Sequence, residues 1–363
     1  MKKTKYLGII TLLILSFTVA LSACSQSSGN ASVSTHLTHS QLVAKAKKEG
    51  KVVSVGMPDS WANWVETWKD IKGKYGINHS DTDMTSAEEV AKFKSDGKNG
   101  TADIGDVGVS FGPVAAQKNL LLPYKTQYWN KIPAWAKDKD GKWVGEYYGT
   151  ISFLTDKKNV KNPPKSWADL LKGNYKVDIF DPTQAAESQF GILAASLANG
   201  GSVSNITPGL NLFKKLAQEG RLSTNKIDIS ALEKGEVDVA ILWDFNSLGY
   251  RDQVSKSRFD VTIPKEASVS SCYVSVINKN ALHPYAGMLA RDYILSDKGQ
   301  INLAKGYARP IRSDVKLPAS VQQKLLPASE YKSTVHLTNY KQWDKTAVAL
   351  PQKWQQGVMA HEK

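Results

Sequence analysis

The chain has 363 residues, with 47 Lys and Arg against 34 Asp and Glu, and a formal net charge of +13. Its 41% hydrophobic content is ample for a core, and with only two cysteines, Cys24 and Cys272, a disulfide framework is excluded. The lysines scatter along the chain instead of clustering, which argues against a nucleic-acid-binding patch and for a solvated surface facing an anionic envelope.

Lys2, Lys3 and Lys5 precede an apolar run from Tyr6 to Leu21. A membrane span needs about 20 apolar residues, so this shorter run suits a secretory signal peptide over residues 1–23. It ends in Leu21-Ser22-Ala23-Cys24, which resembles the lipobox of bacterial lipoproteins. That resemblance implies cleavage before Cys24 and a diacylglyceryl group on its sulfur. Residues 24–37, rich in Ser, Gly, Asn and Ala, then form a flexible lipidated tether. About 340 residues follow the leader, enough for two domains, and no second apolar run reaches membrane-spanning length.

Thr38-His39-Ser40-Gln41 has capping-box spacing and opens a helix that Gly50 stops. A strand over 51–55, a loop over 56–60 and a Trp-rich helix over 61–74 follow. Next come a strand over 77–84, a helix opened by the capping box Thr85-Ser86-Ala87-Glu88, a strand over 102–107, a turn over 108–113 and a helix. Repeated strand, loop and helix imply a parallel sheet covered by helices. Residues 144–155 are extended and β-branched, and Pro163-Pro164 interrupts the chain. Ser166 caps a short helix, a strand covers 175–180, and Asp181-Pro182-Thr183-Gln184 reads as a helix start with Asp181 as N-cap. Thr207-Pro208 and Ser230 start further helices, a strand alternates over 237–243, and 269–277 is a second long extended segment containing Cys272, expected in the core. A helix over 284–295 and a helical region over 313–363, broken at Pro318, Pro327 and Pro351, complete the chain.

Two α/β units joined by two long strands, behind a lipobox and a tether, resemble an extracellular solute-binding protein of an ABC importer. The strings Ala102-Asp103-Ile104-Gly105-Asp106-Val107, Tyr148-Gly149-Thr150-Ile151, Asn162-Pro163-Pro164-Lys165-Ser166-Trp167-Ala168-Asp169-Leu170-Leu171 and Gly306-Tyr307-Ala308-Arg309-Pro310-Ile311 are similar to the branch that binds ferric iron, thiamine, polyamines, phosphonates or sugar phosphates. The resemblance implies the α/β, two-lobed type II periplasmic-binding-protein fold, each lobe a sheet flanked by helices, joined by two crossing strands. Lobe one is expected over 38–148 and lobe two over 149–272, with a return to lobe one and C-terminal helices over 273–363. It further implies a monomer without cofactor or catalytic residues. Such a protein captures a small-molecule ligand and hands it to an ABC permease, from the outer face of a cell membrane in a Gram-positive cell.

In open α/β sheets ligands sit beyond the carboxyl ends of strands, at helix N-termini that present unpaired N–H groups. The candidates in lobe one are Asp59, Ser60, Trp61, Thr85, Ser86, Ser110 and Phe111. Those in lobe two are Thr183, Gln184, Ser188, Trp243, Asp244 and Asn246, with Arg309 able to reach an anion. No metal is expected: Trp243-Asp244-Phe245-Asn246 stands where the iron-binding members carry paired tyrosines, and no Cys/His spacing suggests zinc. Hydroxyl-bearing helix starts outnumber the candidate acids, which tilts the expectation slightly to a phosphorylated or phosphonate ligand, then thiamine or a polyamine, then ferric iron. One motif points elsewhere. Gly108-Val109-Ser110-Phe111-Gly112 matches G-x-S-x-G between a strand and a helix, so a serine esterase using Ser110, Asp244 and His283 or His336 is the alternative.

Overall fold

Helix α1 (His39–Glu49) begins with the expected capping box, Thr38 and Gln41 bonding each other's backbone N–H, and ends at Gly50 with φ 66°. The computed structural model describes residues 33–337 and 340–363; the leader, Cys24 and most of the tether lie outside the described residues. Strand β1 (Lys51–Val55), α2 (Trp64–Tyr75), β2 (Asn78–Thr82), α3 (Ser86–Asp96), β3 (Ile104–Gly108) and α4 (Phe111–Gln117) follow. β1 pairs in parallel with both β2 and β3, as strand–helix alternation requires.

The 14-residue β4 (Trp143–Asp156) leads into the second lobe. That lobe contains α5 (Trp167–Lys172), β5 (Val177–Asp178), α6 (Ala186–Ala198), α7 (Thr207–Gln218) and β6 (Leu222–Ser223), then α8 (Ile229–Lys234), β7 (Val239–Trp243), α9 (Asp244–Val254) and β8 (Phe259–Thr262). β9 (Ser268–Ile277) returns to the first sheet, followed by α10 (Pro284–Ile294), α11 (Asp297–Lys305), β10 (Arg309–Pro310), α12 (Ala319–Gln322), β11 (Thr334–His336) and α13 (Tyr340–Gly357).

The strands run in the order β2-β1-β3-β9-β4-β7-β5-β6. β4 belongs to both lobes: Trp143 to Thr150 pair with β9, while Ile151 to Thr155 pair with β7. These two strands, expected over 144–155 and 269–277, carry the connection between lobes. Every residue of β9 is buried, Cys272 among them at 1% exposure. Helices α6 and α10 are buried on nearly all sides, from Ala186 to Ser196 and from Ala286 to Ile294.

Several boundaries differ from expectation for local reasons. Asp181 does not cap α6: its carboxylate accepts from Thr183 N at 2.9 Å in an Asx turn, and the helix starts later, at Ala186, with Ala185 offering no side-chain cap. The Trp-rich helix begins at Trp64 instead of Trp61, because Ala62 and Asn63 adopt left-handed φ values of 47° and 59°. Asp228, not Ser230, caps α8. Residues 313–363 are not continuously helical. Only α12 and α13 are α-helices there, and β11 adds a strand beside β9. Helix α13 lies on lobe two, with Trp354 against Phe213 and Thr346 Oγ1 donating to Val203 O at 2.8 Å. Its Trp343 is fully buried, stacks on Phe190 and donates from Nε1 to Ser110 Oγ at 2.9 Å.

Candidate functional site

A cleft of about 380 Å³ opens between the lobes at the carboxyl ends of β1, β3, β5, β6 and β7. Lobe one contributes Gly56, Ser60 and Trp61 after β1, Asp83 to Thr85 before α3, Ser86, Glu88 and Glu89 within it, and Asp106 of β3. Lobe two faces it with Gln184, Ala185 and Glu187 around the start of α6, the segment Lys226 to Ile229, and Tyr250 of α9. Tyr273 of β9 lies between them.

Three of these carboxyls are deeply buried: Glu89 at 1% exposure, Asp106 at 2% and Glu187 at 8%. Glu89 accepts from Asp106 N at 3.0 Å. Gly56 makes this possible twice over: its φ of 72° suits glycine, and a Cβ there would overlap the Glu89 carboxyl. Asp106 accepts from the Tyr147 hydroxyl, which itself accepts from Trp61 Nε1 at 2.7 Å, so an indole, a phenol and a carboxyl form a chain along the floor. Glu187 accepts from Trp243 N at 2.6 Å. Burial pushes all three acids up. Glu187 reaches about 8, its bond from Trp243 N opposing the rise only partly. Glu89 and Asp106 rise well above the carboxylate range, Glu89 additionally through the neighbouring Asp106.

Asp83, Glu88 and Asp228 add exposed acids near the mouth. Among the described residues Lys226 is the only basic one lining the cleft, and its Nζ meets Asp83 Oδ2 at 3.0 Å across the gap between the lobes. Both side chains are more than half exposed, so this pair contributes little to stability. The hydroxyl-bearing helix starts are less available than their sequence suggests: Thr85 Oγ1 is engaged with Glu88, and Ser86 Oγ accepts from Gly108 N.

The structure thus brings Ser60, Trp61, Thr85, Ser86 and Gln184 together on the cleft wall. Asp59 and Asn246 line a neighbouring cavity that Ser60 also reaches. Thr183 lies in the Asx turn, Phe111 opens α4, and Ser188 and Trp243 are fully buried. Asp244 is 1% exposed, held by Thr150 N, Phe245 N and Tyr331 Oη. Arg309 lies over the Tyr331 ring, its Nε 3.8 Å from Asp244 Oδ2. The hydroxyl of Ser110 is engaged by Trp343, His283 Nδ1 by Asp103, and the His336 ring lies against Tyr148. No hydrogen bond links Ser110 to Asp244 or to either histidine. Glu89, Asp106, Glu187 and Tyr273 were not picked out from sequence; the tight Gly105-Asp106-Val107-Gly108 run at a strand end is the signal that could have found Asp106.

At Gly108 the two lobes are in contact. A Cβ on it would collide with the Cβ of Ala186 at the start of α6. Gly108→Val is therefore expected to prop the lobes apart, weakening solute binding about tenfold or more while shifting the melting temperature by only a few degrees. Calorimetric titration beside a thermal melt checks this, and unchanged affinity would place the contact outside the closing motion.

This two-lobed scaffold with a cleft at the strand ends is that of a hinged solute trap. Residues 99–346, more than half of the chain, match the family of bacterial extracellular solute-binding proteins, and the chain belongs to that family. It is 28% identical over 180 residues to a sulfate-binding protein of Salmonella typhimurium, covering 47% of this chain; the match spans 53% of that relative, about half its length. A putative 2-aminoethylphosphonate-binding periplasmic protein of Salmonella typhi is 25% identical over 315 residues, 81% of this chain and 87% of that protein. Among solved structures, the periplasmic binding protein AfuA of Actinobacillus pleuropneumoniae, with fructose-6-phosphate bound, superimposes with a TM-score of 0.69 at 17% identity, over 85% of this chain and 98% of that one. That last likeness establishes the fold.

Proposed function

We propose that the protein is the solute-capturing component of an ABC uptake system, anchored through lipid on Cys24, and that it closes over a small organic cation for delivery to a membrane permease. The carrying observation is the balance of charge in the cleft: Glu89, Asp106 and Glu187 inside, three more acids near the mouth, and one lysine already paired with Asp83. An ammonium or heteroaromatic cation satisfies buried carboxylates, and the aromatic side chains of Trp61 and Tyr273 line the same cleft. Contacts drawn from both lobes exist only when the lobes meet, so binding shifts the population to the closed form.

One observation favours a second reading. The N-terminus of α6 has no side-chain cap at Ala185 and opens at the cleft, as an anion site would. Ligands carrying an anionic group, suggested by the names of the sulfate- and aminoethylphosphonate-binding relatives, would use it.

A thermal-shift panel of thiamine, spermidine, 2-aminoethylphosphonate, fructose 6-phosphate, sulfate and ferric citrate separates these readings, since a ligand that binds only the folded state raises the melting temperature. Stabilisation by the amines or thiamine supports the cation. Stabilisation by sulfate or the sugar phosphate alone overturns it. Asp106→Asn is expected to weaken a cationic ligand at least about tenfold, roughly 1.4 kcal/mol, because the amide keeps the shape but cannot ionise to meet the cation. Titration calorimetry with the best ligand reads this directly.

A further inference from the structure

A second cavity of about 320 Å³ lies beside the cleft, and Ser60 and Tyr250 line both. Its lobe-one wall includes Asn63, Gly306 and Tyr307, and its lobe-two wall is a face of α9 with Phe245, Asn246 and Gly249. Asn246 is 4% exposed, yet its Oδ1 has no hydrogen-bond partner. Buried amide oxygens are almost always paired, and this one, on a residue of the cavity wall, is not. The opposite wall is strained. Ala62, Asn63 and Tyr307 have φ values of 47°, 59° and 69°, where side chains are crowded, and a Cβ at Gly306 would overlap the backbone of Ala62 and Asn63. Such strain persists where the surroundings over-determine it, and it clusters at ligand clamps. The Tyr307 hydroxyl donates to Asp252, tying this wall to α9.

Of the charged side chains that line it, Lys305 pairs with Glu66, Asp252 is held by Tyr307, Arg251 and Lys256, and Asp59 and Lys324 are exposed to solvent. The buried part of the lining, with Phe245, Asn246 and Tyr307, is amide and aromatic. We infer that the cavity is a second compartment of the binding site, taking an uncharged, hydroxyl- or amide-bearing tail of the solute past Tyr250 while its cationic head meets Asp106 and Glu187. This rests on the cationic reading and adds a substrate class to it, an elongated organic cation with a polar tail.

Gly249 supplies a clean test. A Cβ there would meet only Gln253 Nε2, at 3.9 Å, and leucine is a better helix former than glycine, so Gly249→Leu fills the compartment without threatening the fold. Affinities of 2-aminoethanol, 5-aminopentan-1-ol and 8-aminooctan-1-ol are measured by calorimetry on both proteins. The expected result is a gain of about tenfold or more with length in the parent and none in Gly249→Leu, with 2-aminoethanol unchanged within about twofold. An equal gain in both proteins, or no gain in the parent, overturns the compartment and leaves the cationic cleft intact. If none of the three binds, the cationic reading falls and the compartment with it.

Discussion

Arg291→Ala is expected to cost the fold about 3–5 kcal/mol, the largest loss of stability from any single change considered for this chain. The side chain is fully buried on α10. Its Nε donates to Ser275 Oγ at 2.7 Å, Nη2 to Ser275 O at 3.0 Å, and Nη1 to Tyr124 O and Gly141 O at 3.0 and 3.2 Å. One guanidinium therefore holds a helix, the crossing strand β9 and two loops. Burial lowers its pKa to about 10, opposed chiefly by the charge of Glu146, so it remains a cation at neutral pH. Truncation would strand the buried Ser275 hydroxyl and three carbonyls and open a cavity. Urea unfolding of both proteins measures the difference. A loss below about 1 kcal/mol would mean that water or rearranged neighbours replace the guanidinium.

The second large effect is on solute affinity as a function of pH. Glu187 titrates near 8 in the empty fold against 4.5 in an exposed chain, because burial penalises its charged form. The empty protein thus binds this proton more tightly than the unfolded chain does. Its contribution to stability is full below about 4.5 and fades as pH rises through 8. Binding a cation reverses the preference, since the carboxylate must ionise to meet it. Affinity for a permanently charged probe such as thiamine should climb by up to about tenfold per pH unit from pH 6 to 8 as Glu187 ionises. Glu187→Gln should flatten that slope over the same range. Calorimetry in buffers of different ionisation enthalpy would register the released proton. A flat profile in the parent protein would remove Glu187 from the titrating site.

Much of the frame was legible because it rests on periodicity. The two long strands, the parallel start of lobe one and the capping boxes at Thr38 and Thr85 follow from patterns that survive in a single sequence. Strands β5, β6 and β10 have two residues each and β11 has three, too few to set a period. The acid wall was hidden for a different reason. Glu89 looks like an ordinary residue in the first turn of a capped helix, and Glu187 like one more polar position in α6. Topology alone brings Glu89 to Asp106 and sets Glu187 in the same cleft. Asp244, at a strand end, drew notice from sequence, but Thr150 N, Phe245 N and Tyr331 Oη satisfy it within the protein.

Trp343 carries a further consequence. It has no exposed surface, its indole nitrogen bonds Ser110 at the start of α4 in lobe one, and its ring lies 5.2 Å from Phe190 of α6 in lobe two. Any parting of the lobes must take it away from one of these neighbours and change the polarity around an emitting chromophore. The chain therefore carries its own optical gauge, one that reports the angle between its halves without an attached label.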